Sequence, residues 1–211
     1  MTSLTAIRHA LRARRRLIDP RDQRHHGAML AKRLARHPVF SRARRIAFYW
    51  PSDGEIDPRP LMELARASGK SAYLPVIHPL RRRKNKGVLW FARFVAGAPM
   101  RPNRFGIPEP LGRGRHLIRP RWLDLMILPL VGFDADCRRI GMGGGFYDRT
   151  LAYLGRGMRW RRPRLFGVAH ECQRLERIEV RPWDIPLDAV ITESGVYIKP
   201  MASRSDPLAL I

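Results

Sequence analysis

The stretch of sequence that decides the fold is Arg139-Ile140-Gly141-Met142-Gly143-Gly144-Gly145-Phe146-Tyr147-Asp148-Arg149. Four of the five residues at positions 141–145 are glycine. Glycine accepts positive φ and lets consecutive backbone N–H groups approach an anion closely. The residues from Phe146 to Leu154 have helical spacing, so the glycines end at a helix N-terminus, where unpaired N–H groups and the helix dipole favour negative charge. An apolar run at 125–128 precedes them, which predicts a strand, a glycine loop and a helix, as in an α/β protein.

The charged residues of this loop indicate a site for a metal-bound polyphosphate. Arg139 and Arg149 bracket the glycines, and Asp148 in the first helical turn is placed to hold a metal ion. The alternative is a tight turn in which Asp148 only complements the helix dipole. A P-loop is excluded because the loop has no lysine, and a dinucleotide fingerprint would need glycine where Phe146 stands.

Length and composition predict one domain over residues 1–200, followed by a disordered tail over residues 201–211. The chain has 211 residues, of which 45% are hydrophobic. No stretch approaches the roughly 20 apolar residues of a membrane span, and the N-terminal segment is an amphipathic basic helix, not a signal peptide. The two cysteines, Cys137 and Cys172, form no CxxC pair. We therefore expect a cytoplasmic protein with no membrane partner.

The formal charge of +23 needs an explanation, because it can signal a nucleic-acid partner. Thirty-six of the 41 basic residues are arginine and are spread along the whole chain, apart from a cluster at 81–86. No nucleic-acid-binding module is recognisable, so we expect nonspecific, salt-sensitive binding and no specific nucleic-acid partner. A dedicated nucleic-acid-binding protein remains the alternative.

Apolar strands alternate with helices along the chain. The predicted strands are 46–50, 72–74, 88–94, 125–128, 165–168, 189–192 and 196–198; the predicted helices are 4–17, 20–36, one following Asp57-Pro58, and 146–154. Residues 97–120 are predicted as a long loop. This order favours a three-layer α/β/α domain with a mostly parallel, Rossmann-like sheet. Ligands of such sheets bind at the carboxyl ends of strands, which brings Glu55 and the glycine loop to one edge, with His170 as a further candidate there.

Four further segments accompany the glycine loop: Arg8-His9-Ala10-Leu11-Arg12, Trp50-Pro51-Ser52-Asp53-Gly54-Glu55-Ile56-Asp57, Phe105-Gly106-Ile107-Pro108-Glu109-Pro110 and Pro182-Trp183-Asp184-Ile185-Pro186-Leu187-Asp188. Together the five motifs resemble, in the same order, those of the 5-formyltetrahydrofolate cyclo-ligases, also called methenyltetrahydrofolate synthetases. The resemblance covers roughly residues 5 to 198.

The resemblance implies ATP- and Mg²⁺-dependent conversion of 5-formyltetrahydrofolate to 5,10-methenyltetrahydrofolate, with release of ADP and phosphate. It implies ATP binding by Arg8, Arg12, Arg139, Gly141, Met142, Gly143, Gly144, Gly145, Phe146 and Tyr147. It implies substrate binding by Trp50, Glu55, Phe105, Gly106, Ile107 and Pro108. It implies catalytic roles for Arg139 and Tyr147, and Mg²⁺ ligation by Asp148 and Asp184. The expected partner is a reduced folate, with or without a polyglutamate tail, and the expected assembly is a monomer.

Simpler interpretations remain open for several of these residues. Glu55 can be a turn acid, Trp50 a core residue, and Asp188 the metal ligand in place of Asp184. None of the seven histidines has metal-ligand spacing to another, which argues against a histidine metal site. Another nucleotide-dependent α/β enzyme is also possible on this pattern.

Overall fold

The computed structural model of the chain describes residues 3–77, 87–111, 116–155 and 162–199. Its centre is an eight-stranded sheet. The described residues form twelve strands, of which eight belong to this sheet and four form two separate hairpins. In chain order the strands are β1 (Arg45–Ala47), β2 (Ser71–Ile77), β3 (Leu89–Arg93), β4 (Met100–Pro102), β5 (Pro108–Pro110), β6 (Leu117–Ile118), β7 (Leu125–Pro129), β8 (Gly132–Phe133), β9 (Arg139–Ile140), β10 (Arg164–Val168), β11 (Ala189–Ile191) and β12 (Val196–Ile198).

The sheet order is β12-β11-β10-β7-β1-β2-β3-β6. The five strands from β11 to β2 are parallel to one another, whereas β12, β3 and β6 pair antiparallel at the two sides. This confirms the expected mostly parallel sheet.

The helices are α1 (Leu4–Arg16), α2 (Pro20–Ala35), α3 (Pro38–Arg42), α4 (Arg59–Ala67) and α5 (Phe146–Leu151), the last continued by a 3₁₀ turn over Ala152–Gly155. The signals for α2 act as predicted: Asp19 Oδ1 accepts from Arg21 N at 2.7 Å, and Pro20 occupies the first turn, where its missing N–H costs nothing. In the part of the chain that the structure describes, no helix is long and apolar enough to cross a bilayer.

The core lies on both faces of the sheet, because successive residues of a strand point to opposite sides. In β7, Leu125 and Ile127 pack with the cluster under α2, α3 and α4, whereas Met126 and Leu128 pack with the cluster under α5. The three-layer α/β/α arrangement is thus confirmed.

Two small hairpins were not predicted. In the long loop expected over 97–120, β4 pairs with β5, and β6 joins the main sheet beside β3. A second hairpin, β8 with β9, lies between β7 and the glycine loop. Short strands rich in proline and glycine carry little strand propensity, and tertiary pairing decides their conformation. The expected tail (201–211) and the basic cluster (81–86) lie outside the described residues.

Candidate active site

A cleft of about 930 Å³ opens where the parallel strands β1, β2 and β7 end at their carboxyl sides. Its walls include nearly all of the residues expected to bind ligands: Arg8, Arg12, Trp50, Glu55, Phe105, Ile107, Pro108, Arg139, Gly141, Met142, Gly143, Gly144, Gly145, Phe146, Tyr147, Asp148 and Asp184. Gly106 is the exception and does not line the cleft. The fold therefore brings segments from residue 8 to residue 184 to one edge of the sheet, as expected for an open α/β sheet.

The glycine loop runs from the end of β9 into α5. Gly143 and Gly145 have φ of 93° and 62°, a region that side-chain-bearing residues rarely adopt, so glycine is required at both positions. Arg149 fixes the loop from outside, because its Nη2 donates to Gly144 O at 2.5 Å and its Nε donates to Gly87 O at 3.3 Å. The loop is thus held in one conformation with its glycines facing the cleft.

Two arginines give this loop an anion-binding character. Arg8 Nε donates to Gly141 O at 2.8 Å, which places its guanidinium over the loop. Arg139 is almost buried and pairs through Nη2 with Asp148 Oδ1. Its Nε has no hydrogen-bond partner among the described residues, although it is buried. A buried unpaired N–H on a cation is costly, so this group is available to a hydrogen-bond acceptor that enters the cleft, such as water or a phosphate oxygen.

Three arginines of α1 converge on Asp53 and hold the turn that follows β1. Arg12 Nε donates to Asp53 Oδ2 at 2.7 Å, and Arg16 Nε donates to Oδ1. Partial burial acts to raise the pKa of Asp53, but the hydrogen bonds from Arg12 and Arg16 bring that pKa below its ordinary value. Asp53 and Gly54 both have positive φ, at 54° and 74°, so the turn is strained and needs this anchor.

Arg15 completes the anchor, and the sequence reasoning missed it. Its side chain is fully buried and donates to Asp53 O at 2.8 Å, Asp53 Oδ2 at 3.0 Å and Leu130 O at 3.1 Å. The signal was available, because Arg15 lies four residues after Leu11 and so shares the apolar face of α1. Arg15 ties the ends of β1 and β7 together beneath the cleft.

Glu55 lies on this turn with its carboxylate almost buried in the cleft wall. Its Oε2 accepts from Ser52 N at 3.1 Å, and its Oε1 is 3.8 Å from Arg15 Nη2. Burial raises the pKa of Glu55 to about 7, against the opposing charge of Arg15. Tyr147 is near enough that burial and the charge of Glu55 both raise the pKa of its phenol, which stays protonated. The two side chains offer an acceptor and a donor to the same ligand.

The opposite wall is apolar and built on the β4–β5 hairpin. Asn103 Oδ1 accepts from Phe105 N at 2.8 Å and from Ile107 N at 3.2 Å, which shapes the turn that carries Phe105. The Phe105 ring meets the Phe146 ring edge to face at 5.8 Å. Gly106 has a φ of 74°, a backbone conformation that glycine adopts easily, and it thereby allows this turn. Trp50 packs on the core and also lines the cleft, so its position is compatible with either of its expected roles.

Of the three candidate metal ligands, two lie in the cleft. Asp148 and Asp184 line it, and each has one carboxylate oxygen engaged, by Arg139 Nη2 and by Arg181 N respectively. The other oxygen of each makes no hydrogen bond to a described residue. Asp188 is elsewhere: its oxygens accept from Arg164 Nη1 at 2.7 Å and Leu165 N at 2.7 Å. Asp148 and Asp184 therefore each leave one carboxylate oxygen available in the cleft, and carboxylate oxygens are ligands that Mg²⁺ takes together with phosphate oxygens.

His170 follows β10 at the expected edge of the sheet but does not line the cleft. It is fully buried, its Nε2 lies 3.2 Å from Gly54 O, and its Nδ1 lies 2.8 Å from His26 Nδ1. The sequence spacing, which offered no pair of ligating histidines, did not reveal this contact. Sequence spacing detects only local ligand pairs, and these two residues are 144 positions apart.

This chain is similar to known proteins along most of its length. The model of the 5-formyltetrahydrofolate cyclo-ligase family matches residues 1–193. The 5-formyltetrahydrofolate cyclo-ligase of Escherichia coli K12 is 39% identical over 189 residues, which cover 89% of this chain and 98% of that relative. That of Haemophilus influenzae is 39% identical over 147 residues, covering 69% and 73%. The solved 5,10-methenyltetrahydrofolate synthetase of Aquifex aeolicus superimposes with a TM-score of 0.76 at 25% identity, covering 97% of this chain and 98% of that one.

Proposed function

The chain belongs to the 5-formyltetrahydrofolate cyclo-ligase family, as an enzyme that forms 5,10-methenyltetrahydrofolate from 5-formyltetrahydrofolate, and we propose that it does so in the cleft described above with ATP as second substrate and Mg²⁺ as cofactor. One observation carries the proposal. The glycine loop with its two arginines, the wall that carries Glu55 and the apolar wall that carries Phe105 all face the same cleft, so a triphosphate and a pterin can meet there.

The triphosphate side of the cleft is assigned to cations and backbone N–H groups. Arg8 and Arg12 of α1 and Arg139 of β9 line it together with the glycine loop, and the unpaired Nε of Arg139 supplies a buried donor for a phosphate oxygen. Such preorganised donors stabilise charge that develops during phosphoryl transfer, because they need no rearrangement in the transition state.

The folate side is assigned to Glu55 and the apolar wall. An ionised Glu55 accepts hydrogen bonds from the amino and ring N–H groups of a pterin, while Trp50 and the segment from Phe105 to Pro108 contact its rings. A buried carboxylate with a pKa of about 7 gains most from such donors, because they replace the water that burial removed. The cost of burying Glu55 in the free enzyme is thus offset when the substrate binds.

The chemistry starts from a poor leaving group, the oxygen of an N-formyl amide. That oxygen attacks the γ-phosphorus, the bond to ADP breaks, and the formyl carbon becomes electrophilic. N10 then attacks this carbon, phosphate departs with the former formyl oxygen, and loss of the N10 proton leaves the methenyl bridge. The chain positions the two substrates and neutralises charge, and the Tyr147 hydroxyl orients the phosphate or the folate. When bound by Asp148 and Asp184, Mg²⁺ supplies further charge neutralisation at the phosphates.

The proposal also covers the setting of the enzyme. We propose a cytoplasmic monomer that binds a reduced folate and neither a specific nucleic acid nor a membrane. This proposal is consistent with the two cysteines, which are both free thiols, and with membership in a family of folate enzymes. Gel filtration at working concentration tests the monomer.

The test follows the absorbance of the methenyl product with purified full-length protein. Product is expected only when ATP and Mg²⁺ are both present, and Arg139→Ala should lower turnover by about 10²-fold. Arg66→Ala is the matched control, because Arg66 lies on α4 outside the cleft and pairs with Glu63 on the surface. Product formation at equal rate without ATP, or none with a folded sample, contradicts the proposal. ATP turnover that is independent of folate would indicate a different nucleotide-dependent enzyme.

A further inference from the structure

Three side chains with metal-binding atoms meet outside the cleft: His26 on α2, His170 after β10 and Glu193 after β11. The Nδ1 atoms of the two histidines are 2.8 Å apart, and His26 Nδ1 is 3.9 Å from Glu193 Oε2. One ligand atom from each residue lies within 4.8 Å of the others. We propose that these three residues form a binding site for a single zinc ion, separate from the active site.

The protonation of His170 prepares it as a ligand. Its Nε2 faces the carbonyl oxygen of Gly54 at 3.2 Å, and a carbonyl only accepts, so Nε2 carries the hydrogen. With its hydrogen on Nε2, the ring presents a lone pair at Nδ1. A ligating histidine whose other ring nitrogen donates to a carbonyl is the usual arrangement at zinc sites.

Without metal, the N–H at His26 Nδ1 donates a hydrogen bond to the lone pair of His170 Nδ1. Zinc binding replaces this hydrogen bond. His26 then carries its hydrogen on Nε2 and presents the lone pair of Nδ1 to the ion. The two imidazole nitrogens are therefore already close enough in the metal-free protein to bind one cation together.

Geometry and ligand type favour zinc over magnesium. Tetrahedral zinc with ligand bonds of about 2.0–2.1 Å places its ligand atoms about 3.3 Å apart, a value that the separations of 2.8 Å and 3.9 Å bracket. Two imidazoles and one carboxylate suit Zn²⁺, whereas Mg²⁺ prefers oxygen ligands alone. The Glu193 carboxylate is held in place, because Glu171 N donates to both of its oxygens at 3.1 Å. A fourth position remains for water.

The test is zinc binding by the full chain, freed of metal with a chelator, in the absence of folate and nucleotide. Competition with a chromophoric zinc chelator should give one tight site per chain. His26→Gln and Glu193→Gln should each weaken it at least tenfold. His25→Gln is the matched control, because His25 is adjacent and exposed but outside the cluster, and it should bind as wild type does. His170 is not substituted, because it is buried.

Cobalt provides a second measurement that reports the ligands directly. Co²⁺ added to the metal-free wild type should give the intense visible bands of four-coordinate cobalt, and His26→Gln should lose them. The proposal is overturned if wild type binds no zinc at micromolar concentrations. It is equally overturned if His25→Gln and His26→Gln weaken binding alike, which would indicate scattered surface histidines. Neither result would count against the proposed folate activity, because the zinc site shares no residue with the cleft lining.

Discussion

Replacing Glu55 by glutamine should make the enzyme more stable at pH 8 while impairing folate binding. The Glu55 carboxylate is almost buried, and its nearest cation, Arg15, lies at 3.8 Å and is already engaged by Asp53 and Leu130 O. Burial therefore raises the pKa of Glu55 from 4.5 to about 7. Glutamine has nearly the same shape and can still accept from Ser52 N, but it never carries the buried charge.

The size of the effect follows from linkage. Between pH 4.5 and 7 the folded protein binds more protons at Glu55 than the unfolded chain does, so the free energy of unfolding falls as pH rises. The stabilising contribution of the protonated group is complete below pH 4.5 and is lost above about pH 7. At about 1.4 kcal/mol for each pH unit, wild type should lose about 3 kcal/mol across this range relative to Glu55→Gln.

Urea unfolding of both proteins at pH 5, 6, 7 and 8 measures this difference. The two proteins should be nearly equal near pH 5, and Glu55→Gln should be more stable by roughly 2–3 kcal/mol at pH 8. In turnover assays the same variant should show a KM for 5-formyltetrahydrofolate raised at least tenfold, with the KM for ATP little changed. Glu63→Gln, which removes an exposed carboxylate from α4, should shift stability by less than about 0.5 kcal/mol at every pH. If Glu55→Gln is less stable than wild type at pH 8, or the difference does not vary with pH, the reasoning is refuted.

Three further predictions concern the cleft and the charge of the chain. Asp148→Asn should fold with a loss of roughly 1 kcal/mol in the free energy of unfolding and turn over about 10²-fold more slowly. If the variant keeps more than about a third of wild-type turnover at limiting Mg²⁺, Asp148 serves only as a partner of Arg139 and the helix dipole. Asp184→Asn should raise the Mg²⁺ concentration for half-maximal turnover at least tenfold, whereas Asp188→Asn should leave it unchanged and cost about 1–2 kcal/mol of stability, as a chemical-denaturation curve would show. Affinity for random RNA should fall by about 10³-fold or more between 50 and 200 mM salt, equally for unrelated sequences; sequence-selective binding at physiological salt would contradict this.

Most of the fold could be predicted because its signals are local. Asp19-Pro20 sets the start of α2, and the apolar run at 125–128 sets β7, the strand that carries residues to both layers of the core. The β4–β5 hairpin could not be predicted, since its strands Met100–Pro102 and Pro108–Pro110 are held by pairing with each other and not by propensity.

The residues that line the cleft were largely predicted from the sequence, but the hydrogen bonds and ion pairs among them were not. Arg139 and Asp148 were expected to hold different ligands, a phosphate and a metal ion, and the fold pairs them with each other. Arg15 could have been identified by its position four residues after Leu11 on the apolar face of α1, although composition alone cannot tell which of the many arginines is buried. The meeting of His26 with His170 depends on how the fold places α2 beside the residues that follow β10, and sequence spacing does not contain this information.

The attachment of α1 has a consequence for how the protein is made. Arg8 and Arg15 dock on Gly141 O and Leu130 O, so α1 leaves the ribosome before these partners, which lie 133 and 115 residues further along. At about 5–20 residues per second, that delay is roughly 6 to 27 s, during which Leu4, Ile7 and Leu11 have no core to cover. We expect the arginines that alternate with them to keep this helix hydrated and to repel other copies of it during synthesis. The order of synthesis and the order of assembly therefore run in opposite directions for α1, and we expect its charge to limit aggregation of the nascent chain in the interval.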